Sequence, residues 1–194
     1  MNIAARMVVG FVGLTASGSA LAHAGAHPGG GWAAGFAHPF LGLDHLLAMV
    51  AVGVWAAQQG GRYLLLLPST FVAAMAAGAV AAAYGAGLPQ VGGLLALSVL
   101  ALGILVALAV KTSWHWPVAL VALIAMVHGH AHGAEMPELS SPGLYFAGFL
   151  AATAALHALG TAAGTVLKTR PGILRYGGAA IGLAGSGLLV TVIT

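Results

Sequence analysis

VGGLLALSVLALGILVALAV, residues Val91 to Val110, runs for twenty positions without a charged side chain and stops against Lys111. A helix of that length rises roughly 30 Å, the thickness of the hydrocarbon core of a bilayer. The rest of the chain has the same character: of 194 residues, 60% are hydrophobic and 5% charged, with a mean hydropathy of +1.01. A soluble domain carries about 25% charged residues. Five more stretches of similar length flank the first: Pro39 to Gln58, Tyr63 to Tyr84, Trp116 to about Gly133, Leu144 to Leu167 and Ile173 to Ile193. The chain is therefore expected to be an all-α membrane protein with one six-span helix bundle. The intervening breaks (Gln59 to Gly61, Gly85 to Pro89, Met136 to Pro142, Pro171-Gly172) are short, which predicts neighbouring helices packed as antiparallel pairs. Pro39 suits the first turn of its helix, where its missing N–H is not needed.

The first twenty-two residues read as a secretory signal peptide. Arg6 supplies the positive region, Met7 to Thr15 a short apolar region, and Ala20-Leu21-Ala22 a small-residue cleavage site. An uncleaved anchor would need a longer apolar run. The mature domain, 23–194, then starts outside the membrane with His23 and His27, which would either scavenge metal or form a simple polar tail. With that start, Arg62, Lys111, Lys168, Arg170 and Arg175 all fall on the inner side and Glu135 and Glu138 outside. This is the positive-inside distribution. These five basic residues and Arg6 produce the pI near 9.7, but they stand singly at helix ends and form no phosphate-binding face, so no nucleic-acid partner is expected. The partner implied is the lipid bilayer. Trp32, Phe36, Tyr84, Tyr145 and Phe146 on one side, and Trp55, Tyr63, Trp114, Trp116 and Tyr176 on the other, read as aromatic belts, with His115 a belt residue between two tryptophans. Glycines spaced as in Gly160-x3-Gly164 and Gly178-x3-Gly182 let helix backbones approach closely in lipid.

Two polar motifs interrupt the apolar pattern. The first span opens His38-Pro-Phe-Leu-Gly-Leu-Asp44-His45, with Met49 one turn on; as one helix it would put His38 and His45 on one face, roughly 10 Å apart in depth. A carboxylate such as Asp44 costs about 2.5–3.5 kcal/mol inside a membrane unless it is paired or faces a polar cavity, and every Lys and Arg of the mature domain sits at the inner helix ends, out of its reach. The fourth span closes His128-Gly-His130-Ala-His132-Gly-Ala-Glu135. His128, His132 and Glu135 share a face at i, i+4 and i+7, while His130 points away unless the glycines at 129 and 133 loosen the helix. Both motifs fall at the same end of the bundle. With no cysteine in the chain, imidazole and carboxylate donors suit nickel, cobalt, copper or zinc better than calcium or magnesium. His157, alone in the fifth span, is either a deeper ligand or a core histidine bonded to Thr153 or Thr161.

Polar groups at stepped depths suggest a permeation path, and no Walker A, Gly-x-Ser-x-Gly or His-Glu-x-x-His pattern is present. Two other readings stay open at this point: an intramembrane zinc hydrolase using His128 and His132 with Asp44, which would need a serine or a water-activating carboxylate beside the metal, and a b-type haem protein. HPFLGLDHLLAM together with His128-Gly-x-Ala-His132-Gly-x-Glu135 resembles the signature pair of the HupE/UreJ family. Val127, where an aromatic is expected, is the one departure. The resemblance spans the chain and implies a multi-pass permease of the bacterial inner membrane, both mature termini periplasmic. By the same resemblance it would not be an enzyme, would hold no prosthetic group and would transport nickel or cobalt for hydrogenase or urease maturation machinery. The metal residues then expected are His38, Asp44, His45, His128, His130, His132 and Glu135, with His157, His23, His27 and Met49 as further candidates.

Overall fold

The computed structural model describes residues 31–113, 115–136 and 141–194. The expected signal peptide, His23 and His27, Trp114 and Glu138 lie outside the described residues. All regular structure among the described residues is helical: α1 (Gly31–Leu41), α2 (Leu43–Gln59), α3 (Tyr63–Ala83), α4 (Val91–Leu108), α5 (His115–Ala134), α6 (Pro142–Val166, continued by a 3₁₀ turn, Leu167–Thr169) and α7 (Pro171–Ile193). Helices α3 to α7 are each long and apolar enough to cross a membrane, and α1 and α2 qualify only as a pair. The protein is a multi-pass membrane protein; the described residues hold five such helices, or six spans if the pair counts as one. Pro142 and Pro171 open α6 and α7, where proline's fixed φ favours a helix start.

The first span departs from its expected form. Pro39 does not open a helix but sits near the end of α1, and the chain breaks at Gly42 (φ −89°, ψ 115°) before resuming as α2 at an angle of 80°. Proline lacks the N–H that a helix interior requires, which weakens the turn it occupies. The break has a consequence for Asp44: it now lies in the first turn of α2, where its carboxylate accepts the backbone N–H of His45 at 2.8 Å. A helix N-terminus favours negative charge, so a residue costly in mid-span is here stabilised.

Packing also differs from the expected sequential pairs. The most extensive contacts join α3 to α5, α4 to α7, and the α1–α2 pair to α6. Glycine makes these approaches possible. A Cβ at Gly129 would lie 1.9 Å from the Met75 carbonyl oxygen, and one at Gly133 2.5 Å from that of Ala79, so α3 and α5 run parallel with backbones nearly touching. Gly160 and Gly164 back onto Val50 and Val54 in the same parallel sense, whereas Gly178 and Gly185 meet Val106 and Leu100 and make α4 and α7 antiparallel. The apolar run of each helix records that it spans, not which helix covers it. Small residues at the contacts decide the partners.

Two of the expected belt aromatics are core residues. Trp55 is buried, and its indole N–H donates to the Val110 carbonyl at 3.0 Å, which caps the end of α4. Tyr145 is buried against His38 and Phe149. Trp32, Tyr84, Trp116 and Tyr176 are exposed, as a belt requires.

Candidate metal centre

Helices α1, α2 and α5 carry the two polar motifs to one place. His38 ends α1, His45 lies in the first turn of α2, and His128 and His132 occupy one face of α5. Their rings are in contact: centroids are 4.4 Å apart for His45 and His132, 4.9 Å for His38 and His132, 4.9 Å for His45 and His128, and 6.0 Å for His38 and His45. The break at Gly42 replaces the expected stepped pair on one helical face with two rings meeting across a bend. His45, His128 and His132 are buried.

Hydrogen bonds orient three of the four rings, those of His45, His128 and His38. Asp44 Oδ1 lies 2.7 Å from His45 Nδ1 and must accept a proton from it, which leaves the buried Nε2 as the bare lone pair. Ser98 of α4 gives its hydroxyl proton to the Leu95 carbonyl at 2.7 Å and so accepts from His128 Nε2 at 2.9 Å; the lone pair of His128 is then on Nδ1. His38 Nε2 donates to Glu135 Oε2 at 3.0 Å at the exposed rim of the cluster. Anchoring one nitrogen by a carboxylate or hydroxyl and freeing the other is how metal-binding histidines are oriented. Both nitrogens of His132 lack a protein partner, and its ring is sandwiched by Phe149, stacked at 4.7 Å. Each buried polar atom left unpaired costs about 1–3 kcal/mol. The rings have not closed on a common point: among the described residues no three imidazole or carboxylate groups are arranged to hold one ion.

The remaining candidates divide. α5 does not unwind at its glycines, so His130 stays on the far side, donating to the Ala86 carbonyl at 2.7 Å. His157 is buried beneath the cluster against Phe71 (4.8 Å), neither nitrogen bonded to another side chain. The Met49 sulfur, buried, accepts from Thr153 at 3.4 Å.

Ser98, Tyr145 and Met75 were not marked by either motif. The only sequence signal for Ser98 is a lone hydroxyl in a charge-free span, where a polar group is costly and usually has a task. Its presence bears on the hydrolase reading, which lacked a serine. Ser98 is beside His128, but its proton points to a backbone carbonyl, not to the imidazole, so it is not set up as a nucleophile. Imidazoles in mutual contact also leave no plane for a haem macrocycle between them.

A multi-pass helical bundle with four imidazoles and two carboxylates gathered at one end defines the class as a membrane protein with a histidine cluster. The model of the HupE / UreJ protein family matches residues 11–188. The chain is also similar to Protein HupE of Rhizobium leguminosarum bv. viciae, 46% identical over 171 residues that cover 87% of this chain and 89% of that one. No solved structure matches. The chain belongs to the HupE/UreJ family, whose members are transporter-type accessory proteins and not enzymes, and membership implies a transported metal ion.

Proposed function

We propose that the protein moves nickel, or cobalt, across the bacterial inner membrane and supplies hydrogenase or urease maturation. The observation that carries this reading is the set of touching, buried imidazoles whose partners leave their lone pairs free: His45 Nε2, His128 Nδ1 and His132. His38 and Glu135, half-open to the surroundings, form the entrance. An arriving ion exchanges water for these two, then for His45, His128 and His132, with Asp44 holding the His45 ring. His157 continues the path below; His130 and the N-terminal His23 and His27 serve at most as outer collectors. Imidazole donors in numbers favour borderline divalent ions over calcium and magnesium. The orientation that fits is a cleaved leader, 1–22, a mature domain 23–194 with both termini periplasmic, and the cluster facing the periplasm, since the basic residues lie at the opposite helix ends.

The test is uptake of radioactive nickel and cobalt by cells expressing the wild type, His45→Ala or His132→Ala, with membrane insertion checked by immunoblot. Loss of uptake in both variants at normal insertion supports the assignment, and undiminished uptake refutes it.

A further inference from the structure

Beneath the imidazole cluster two thioethers share one hydroxyl. Met49 of α2 and Met75 of α3 are fully buried, and their sulfurs lie 3.4 Å and 3.7 Å from Thr153 Oγ1 of α6. One turn further along α6, roughly 6 Å in rise, stands His157, 1% exposed, its ring interacting with the Thr153 backbone and its nitrogens without a side-chain partner. The neighbouring turns match. Gly53, one turn after Met49, brings α2 so close to α6 that a Cβ there would sit 2.4 Å from the His157 carbonyl oxygen. Phe71, one turn before Met75, packs against His157 at 4.8 Å and against His128 at 5.8 Å. Three helices thus contribute two layers, one of sulfur and hydroxyl and one of imidazole, tied through Phe71 to the cluster above.

We propose that Met49, Met75 and His157 form a second cation station, deeper than the imidazole cluster, that takes late transition-metal ions and rejects hard ones. The proposal rests on the transport reading. Methionine is a common gap-filler in cores, and core packing alone would account for one buried sulfur. It does not account for two sulfurs turned to the same hydroxyl with a buried imidazole, its nitrogens free of side-chain partners, on the next turn. The chemistry complements the cluster. Asp44 and Glu135 are oxygen donors that magnesium and calcium also use. Thioether and neutral imidazole offer such ions nothing; imidazole suits nickel, copper and zinc, and thioether favours the softer of the late transition metals. A station of weak, uncharged ligands also releases its ion readily, as conduction requires.

The test uses the purified full-length protein loaded with Ni2+, read by X-ray absorption, and the double variant Met49→Leu/Met75→Leu, which nearly conserves core volume. The wild type is expected to bind two equivalents, one with sulfur in its shell. The double variant should bind one, without sulfur. Its nickel uptake in excess Mg2+ should fall about tenfold or more, as for other losses around a metal site. A wild type with one equivalent and only nitrogen and oxygen scatterers overturns the station and leaves the transport reading standing; a wild type that binds no nickel overturns both. The wild-type spectrum decides the matter even if the double variant is not recovered.

Discussion

The helix that carries His128 and His132 runs unbroken from His115 to Ala134, whereas the segment that carries His38 and His45 is cut at Gly42 and turned through 80°. Both contain a proline and closely spaced glycines, and both bring two histidines to the same cluster. The glycines act differently. Gly129 and Gly133 are surfaces: they let α3 lie against α5 and hold the two imidazoles on a rigid face. Gly42 is a joint, where extended backbone lets His38 and His45 approach from different helices. One half of the site is fixed by packing, and the other is set by a bend and by the Asp44–His45 bond. A pathway that must bind and then release an ion needs both kinds of half.

Changes on the packed half should cost the whole protein. Gly129→Leu would drive a side chain into the Met75 carbonyl, and overpacking costs roughly 1–3 kcal/mol or more. The expected outcome is little inserted protein, measured by membrane yield and thermal melting; a normal yield would show that α3 and α5 do not depend on this contact. Changes on the bent half should cost function alone. Asp44→Asn leaves packing intact but no longer holds the His45 proton as a charge, and nickel affinity is expected to fall about 10–100-fold by calorimetry. An unchanged affinity would remove Asp44 from the site.

The pH dependence comes next in size. Imidazole binds metal only when neutral, and its ordinary pKa is about 6.5. Protonation removes the lone pair, so uptake should weaken, never strengthen, as the pH on the cluster side falls. Uptake that rose steadily with falling pH would exclude neutral imidazole as the principal donor. The smallest effect is expected for Gly42→Ala. The φ of −89° suits alanine, but the new methyl would meet Asp44 Oδ1 at 2.9 Å and His45 Nδ1 at 3.0 Å. Affinity should weaken a few-fold with the melting temperature within about 5 °C of wild type, since about 1 kcal/mol shifts it by roughly 2–4 °C at this chain length.

Five of the spans were legible because an apolar run bounded by glycine, proline or charge has little else to become; the observed helix ends fall within a few residues of those expected. The break in the first span was not. Pro39 reads equally well as a helix opener or a helix spoiler, and the residues before it, Gly31 to Ala37, are apolar enough to extend the helix backward. Helix pairing was hidden for a related reason: lipid-facing and helix-facing residues are both apolar, so the small-residue spacings in α6 and α7 announced contacts without naming partners. In the site, the paired motifs stood out through spacing. Ser98, Met75 and Tyr145 did not, since each is one residue in an apolar run whose meaning depends on what the fold sets beside it.

The most direct test of the central claim is nickel entry into liposomes that contain only the purified protein, followed by an internal metal-sensitive dye. The account predicts entry with wild type, none above empty liposomes with His132→Ala, and strong competition by cobalt but not by magnesium. Entry by His132→Ala at the wild-type rate would contradict it, because the path would then run elsewhere than through the imidazole cluster.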